Sequence, residues 1–298
     1  MNVTFRQLRA FSHVARLGSF SHAAESLSLT SGALSHLIRD LEAEVGVRLF
    51  ERTTRSVGLS KAGEIYLPHA ERVLNELAAA ALCAKDLREG KSGSVRIAAT
   101  HLLAAIKLPS LMVAYQASFP ETRLVLRDAK PDVLIELVAS GEVDLALGPE
   151  RPVPDTVISE EVFSDDLMLI CGNQHRLAAR ASVAWDELAN ESFIVIGDGA
   201  AVRTMVDINF KVLIEPSMQV DQFTTGIALV AAGQGIMLST AYVGPFLKEH
   251  ALRLIPLVNP SVRRRIMLFR HAAKLPSPAA DRFAGFLQAR LAADQEPG

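Results

Sequence analysis

Ser19-Phe20-Ser21-His22-Ala23-Ala24-Glu25-Ser26-Leu27-Ser28-Leu29-Thr30-Ser31-Gly32-Ala33-Leu34-Ser35-His36-Leu37-Ile38-Arg39-Asp40-Leu41-Glu42 reads as two short helices joined by a tight turn. Ser21 is placed to cap the first, since its hydroxyl can accept from backbone N–H groups left free at a helix start. Ala23, Ala24 and Leu27 give that helix a small inner face. Thr30 suits the cap of the second. Beyond it Leu34, Leu37, Ile38, Leu41 and Val45 recur at helical spacing as one apolar stripe. Gly46 supplies a left-handed stop. The opposite face carries Ser31, Gly32, Ser35, His36 and Arg39, a set that suits insertion into a DNA groove. An ordinary amphipathic helix hairpin has the same spacing, so the flanking segments must decide.

Upstream, Phe5, Leu8, Phe11, Val14 and Ala15 form the stripe of a helix from about Thr4 to Leu17, ended by Gly18. Downstream, Leu49–Arg52 and Val57–Leu59 look like two short strands around a basic loop, a wing with Arg48, Arg52 and Arg55 as candidate phosphate contacts. Ser60 then caps a long helix to about Glu89, on the order of 44 Å at 1.5 Å per residue. Ala70, Val73, Leu77, Ala80, Ala84 and Leu87 alternate by three and four, the spacing of a coiled-coil seam. No adjacent segment offers a matching stripe, so the expectation is a homodimer through residues 61–89.

The chain has 298 residues, half of them hydrophobic, enough for two or three compact units. The net charge of −2 conceals a bias: residues 1–60 hold seven Arg against five acids. Cys83 and Cys171 are isolated and read as buried thiols in a reducing compartment. Neither a leader pattern nor an apolar run near the ~20 residues of a membrane span is visible. The expectation is a cytoplasmic protein with no membrane partner. The eight His and two Cys show no metal-ligand spacing, and neither a nucleophile elbow nor paired catalytic carboxylates occur, so no metal, cofactor or enzyme activity is expected.

After Gly90–Gly93 the composition shifts to strands alternating with helices, the pattern of a mostly parallel sheet. Strands are expected at Val95–Ala99, Arg123–Arg127 and Val143–Leu147, then at Leu167–Cys171, Phe193–Ile196, Ser217–Val220 and Gly235–Leu238. Helices are expected near Leu108–Phe119, Asp132–Ser140, Val202–Val212, Thr225–Ala232 and Ala241–Glu249. Strands near Leu252–Leu257 and Arg265–Arg270 and a helix over Pro278–Ala292 complete the chain. Two similar α/β blocks, connected near Val162–Asp165 and Val262–Ile266, imply two lobes with a cleft between them.

Residues 3–66 resemble the DNA-binding domain of LysR-type transcriptional regulators. The resemblance is carried by Phe5-Arg6-Gln7-Leu8-Arg9-Ala10-Phe11, Gly18-Ser19-Phe20, Leu34–Glu42, Gly46–Arg52 and Leu59–Gly63, and further on by Val230–Ile236. It implies an α+β multidomain protein: a winged helix-turn-helix over residues 1–60, a linker helix over 61–89 and an effector domain over 90–298. The effector domain would have two lobes like type 2 periplasmic-binding proteins, lobe I about 93–163 and 266–298 and lobe II about 164–265. The family further implies a dimer, often a tetramer, that binds double-stranded promoter DNA and answers a small molecule in the cleft. Where the family commonly has Gln, Pro or Ser, and Arg, this chain has Ser31, Gly32 and His36, which changes the sequence that is read.

Parallel sheets bind ligands beyond the carboxyl ends of their strands. That rule selects Thr100, His101, Leu102, Asp128, Gly148 and Pro149 in the first lobe. In the second it selects Gly199, Ala201, Phe223 and Thr224. Free N–H groups and hydroxyls at helix starts suit an anion, with His101 and Arg203 as possible partners, so a small organic acid is expected. Two readings from other classes are a constitutive DNA-binding regulator and a two-lobed α/β binding protein or enzyme. Arg263-Arg264-Arg265 is assigned to an edge or crossover, with nonspecific phosphate binding as the lesser alternative.

Overall fold

A computed structural model of the chain describes residues 2–52, 57–88, 93–197 and 216–293. Its first helix, α1 (Phe5–Leu17), starts at Thr4, whose hydroxyl accepts from the Gln7 N–H while the Gln7 side chain accepts from the Thr4 N–H. α2 (Phe20–Ser26) is capped by Ser19, which accepts from the His22 N–H, and not by Ser21. Ser19 is the last extended residue before the helix, whereas Ser21 already lies in its first turn, where a side chain no longer faces the free donors. α3 (Ser31–Val45) is capped by the Thr30 hydroxyl, 3.2 Å from the Ala33 nitrogen, and closed by Gly46 at φ 76°. Leu34, Ile38 and Leu41 of α3 are fully buried against Leu8, Phe11, Val14, Ala23 and Ala24.

The wing strands β1 (Phe50–Arg52) and β2 (Val57–Leu59) pair antiparallel, Phe50 opposite Leu59. Glu42 reaches from α3 to this hairpin, one carboxylate oxygen accepting from the N–H of Leu49 at 2.7 Å and of Phe50 at 3.2 Å. The linker helix α4 (Lys61–Arg88) begins at Ser60, whose hydroxyl accepts from the Gly63 N–H and donates to the Arg48 carbonyl. Ala70 is 2% exposed because it faces the winged domain with Tyr66, Leu67 and Leu74, and α1 supplies the partner stripe for this part of α4, with Phe11 against Tyr66. Ala70 therefore leaves the expected seam. Val73 (54% exposed) and Leu77 (49%) stay outward, as do Ala80 and Ala84, while the side chains of Cys83 and Leu87 lie outside the described residues.

In the C-terminal half β3 (Ser94–Thr100) lies parallel between β4 (Arg123–Ala129) and β5 (Leu145–Pro149). A π-helical turn, Leu103–Lys107, runs into α5 (Leu108–Ser118), and α6 (Pro131–Ala139) connects β4 to β5. The expected connections between blocks are strands. β6 (Val157–Gly172) runs unbroken from one lobe into the other, and β12 (Arg263–His271) returns antiparallel beside it, from Arg263 opposite Asp166 to His271 opposite Val157. One eight-stranded sheet results, so it is parallel only in part. β7 (Val183–Ala184), β10 (Met237–Thr240) and β11 (Leu252–Val258) extend its far side. β8 (Phe193–Ile196) and β9 (Pro216–Val220) pair separately and lead to α7 (Phe223–Ala231), and α8 (Pro278–Ala293) packs back on the first lobe. Gly244-Pro245 breaks the expected helix over 241–249 into three short turns. The helix expected over 202–212 lies outside the described residues. None of the helices among the described residues is long and apolar enough to cross a membrane.

Two residues report on this packing. A Cβ on Gly63 would stand 2.1 Å from the Leu49 carbonyl oxygen, a backbone atom that cannot swing aside. Gly63→Ala is expected to destabilise the winged domain by about 1–3 kcal/mol, read as a lower urea midpoint. Cys171 is fully buried in the second lobe, and burial, aided by Glu191, pushes its thiol up to about 11. It is neutral at pH 8 and expected to resist iodoacetamide until the protein unfolds, as peptide mass mapping would record.

Candidate nucleic-acid interface and effector cleft

The stripe of α3 turns its other face to solvent. Ser31, Gly32, His36 and Arg39 are exposed and Ser35 is half-buried. A Cβ on Gly32 would meet nothing within 4 Å, so packing does not require glycine there. His36 Nδ1 lies 2.8 Å from Asp40 Oδ2, one turn on. A carboxylate only accepts, so Nδ1 carries the proton and Nε2 is the ring atom left outward. Arg39 Nε donates to the Ser35 carbonyl at 3.3 Å, which steers the guanidinium along the same face. Ser21 is exposed in the first turn of α2, and Arg48 is exposed where the chain enters the wing. Of Arg52 only the backbone, ending β1, is described, and Arg55 lies outside the described residues.

Beside this domain α1 and α4 enclose a groove of about 420 Å³, lined by Phe5, Leu74, Leu77, Ala78 and Ala81 with Arg9 and Arg16 at its rim. Phe5, 46% exposed, belongs to this groove and not to the core face of α1. Burial, then Arg16 and Arg9, hold the His13 imidazole in the groove below its ordinary pKa.

In the C-terminal half the carboxyl ends of β3, β4 and β5 lie side by side. Thr100 ends β3, and His101 follows with Nε2 3.3 Å from Asp128 Oδ2 at the end of β4. Gly148 is buried, and a Cβ on it would stand 2.7 Å from Leu134, so this position offers only backbone; Pro149 beside it is half-buried. Across the cleft Thr224 is exposed in the first turn of α7. Phe223, in contrast, is committed to the second lobe's core with Ile227 and Val243, so its ring anchors α7 and is not presented to a ligand. Gly199, Ala201 and Arg203 lie outside the described residues.

Contacts among the described residues bring the lobes face to face. Lys130, at the start of α6, lies 4.0 Å from Asp221, just ahead of α7. Leu102 and Ile106 of the first lobe pack against the apolar cluster of the second. Lys130 and Asp221 were open to the strand-end rule that selects Thr224, but as ordinary surface charges they carry no other sequence signal. Among the described residues no His, Cys, Asp and Glu group could hold a metal ion.

Residues 5–64 match the family model described as bacterial regulatory helix-turn-helix protein, lysR family, and residues 88–292 match the LysR substrate binding domain. The uncharacterized HTH-type transcriptional regulator YybE of Bacillus subtilis is 31% identical over 290 residues, covering 95% of this chain and 97% of that protein. YfeR of Shigella flexneri, also described as an uncharacterized HTH-type transcriptional regulator, is 29% identical, covering 94% of this chain and 92% of that protein. The crystal structure of CbnR, a LysR family transcriptional regulator, shares the fold with a TM-score of 0.73 at 21% identity, covering 97% of this chain and 99% of CbnR. With a lysR-type helix-turn-helix at one end and a substrate-binding domain over most of the remainder, the chain belongs to the LysR family of transcriptional regulators.

Proposed function

We propose that this regulator acts in the cytoplasm as a homodimer, or a tetramer built from dimers. It reads promoter DNA through α3 and changes its hold on that DNA when a small organic acid enters the interlobe cleft. The observation that carries the DNA part is the division of α3: one face is sealed into the core, while Ser31, Gly32, Ser35, His36 and Arg39 are left to a partner. Residues 1–60 would hold the duplex, with Ser21, Arg48, Arg52 and Arg55 on phosphates and α3 on base edges. CbnR has been crystallised with its target DNA in this fold. His36 Nε2, an acceptor when the ring is neutral, suits a base that presents an amino group in the major groove.

Dimerisation through residues 61–89 is supported by the exposed Val73 and Leu77 and by the apolar groove between α1 and α4, which a second linker helix would fill. Residues 90–298 form the sensing part. Thr100, His101, Leu102, Asp128, Gly148 and Pro149 face Thr224 and the start of α7, with Phe223 as support. Gly199, Ala201 and Arg203 complete the set taken from the sequence. The acid would bind between these groups and favour one arrangement of the lobes, a coupling of typically 1–3 kcal/mol. A constitutive regulator is the second reading, favoured by one observation: Leu102 and Ile106 of the first lobe pack directly on the second lobe's apolar cluster.

A gel shift on the DNA upstream of the protein's own gene, with salt varied, tests the first part. Arg39→Ala is expected to weaken that shift by about 1–3 kcal/mol relative to random DNA, and equal binding to both DNAs would sink the reading. Leu77→Asp is expected to convert the dimer to monomer in sedimentation velocity, because a carboxylate in the seam cannot be desolvated without a partner. An unchanged dimer would place the interface elsewhere.

A further inference from the structure

Arg263, Arg264 and Arg265 lie in β12, where side chains alternate between the two faces of the sheet. The outer two are neutralised. Arg263 Nε lies 3.6 Å from Asp166, and its guanidinium donates to the Ser164 carbonyl at 3.1 Å. Arg265 grips Glu150 through two nitrogens and has Glu161 at 3.8 Å. Arg264 points the other way, onto the face that carries Ile266 and Leu268 in the first lobe's core. It is partly buried, and among the described residues no carboxylate comes within 4 Å of it.

Its surroundings belong to both lobes. Tyr242 of the second lobe is its electrostatic neighbour. The Tyr242 ring packs edge-on against Phe163 of β6 at 6.1 Å, and Lys107 of the first lobe lies over the same Phe163 ring at 5.7 Å. Asp165 stands opposite Arg264 in the ladder, but its carboxylate accepts from the N–H of Tyr242 at 2.5 Å and of Asp166 at 3.0 Å. Burial works against the charge on Arg264, yet an arginine stays charged at neutral pH. A withdrawn cation without a counter-ion is costly, and the cost is relieved by an anion that arrives from outside.

We infer that Arg264 is the anion anchor of the interlobe cleft, holding the carboxylate or other oxyanion of the effector where both lobes meet the crossover strands; this rests on the cleft being the effector site. The guanidinium offers a planar fork that matches an oxyanion in a bidentate fashion. Tyr242 beside it and Lys107 across the Phe163 ring make the bound anion a contact shared by the two lobes. His101, the partner taken from the sequence, is already engaged by Asp128.

The test is thermal unfolding of the full-length protein at constant ionic strength with acetate, benzoate, pyruvate or inorganic phosphate, which also separates carboxylates from phosphate. At least one of these anions should raise the melting temperature by about 3 °C or more. Arg264→Gln should abolish the shift, Arg264→Lys should keep part of it, and Arg265→Gln should keep it whole. Without added anion, Arg264→Gln should melt at or above the wild type, because it removes an unpaired charge. A lower melting temperature there means the guanidinium is a structural tie, and the inference fails. It fails equally if no anion separates wild type from Arg264→Gln. A shift retained in Arg264→Gln but lost in Thr224→Val overturns the role of Arg264 and leaves the cleft reading standing. A shift retained in both overturns the two together.

Discussion

The antiparallel ladder of β6 and β12 is the constraint on which the C-terminal half depends. Two strands carry the chain between the lobes, and their backbone groups satisfy one another along the whole passage. The ladder has one irregularity: the partner of Ile266 is Phe163, but that of Met267 is Glu161, so Val162 is an extra residue. A bulge leaves a residue unpaired and bends the strand, so it is the soft point of an otherwise continuous connection. It lies where the apolar cores of the lobes separate, with Val162, Phe163 and Ile266 in the first and Leu167 and Leu169 in the second. A rotation about this point would change the cleft while leaving both cores packed.

The winged domain is held by a different economy. Its hairpin is short, and three-residue strands cannot stabilise themselves. Glu42 ties the start of the wing to α3, Ser60 ties the end of the wing back to the Arg48 carbonyl and caps the linker helix by accepting from the Gly63 N–H, and Gly63 lets α4 approach the Leu49 backbone. The same α4 then runs on to the first lobe, where Asn75 donates to the Ser140 carbonyl and Glu76 pairs with Lys274. One helix thus touches the DNA-binding core at its start and the effector lobe farther along, and any change in its direction is felt at both ends.

Periodic apolar stripes made most of this legible in the sequence. The helices of the winged domain, the wing strands, the linker helix and the strands of the first lobe could be placed because burial on one face leaves a pattern of 3.6 or 2 residues. Ser19 and Ser21 offer the same hydroxyl as a cap, and only backbone geometry distinguishes the extended Ser19 from Ser21 inside the first turn. Ala70 looked like part of a free seam because periodicity tells which residues share a face, not what covers it. The crossover strands were read as connections because Val162–Asp165 mixes apolar and charged residues, as a strand passing between two cores must. Phe223 was placed by the strand-end rule, which locates a backbone position but not the direction of its ring.

The arginine run shows the limit of reading charge from sequence. Three successive cations look like one patch, yet a strand sends alternate residues to opposite faces, and the acids that neutralise Arg265 come from Glu150 and Glu161, remote in the chain. The cleft presents the converse case. Asp128 and Asp221 place carboxylates there, and each already faces a partner, His101 and Lys130. An anionic ligand gains little from groups that must first release their partners, because the Coulomb energy won is offset by that lost. Arg264, with Asp165 turned toward Tyr242, has no such partner among the described residues, so the same ligand charge would count for more at the crossover than beside these pairs. Only this kind of difference can shift the lobes, since a ligand held equally well in open and closed arrangements moves neither.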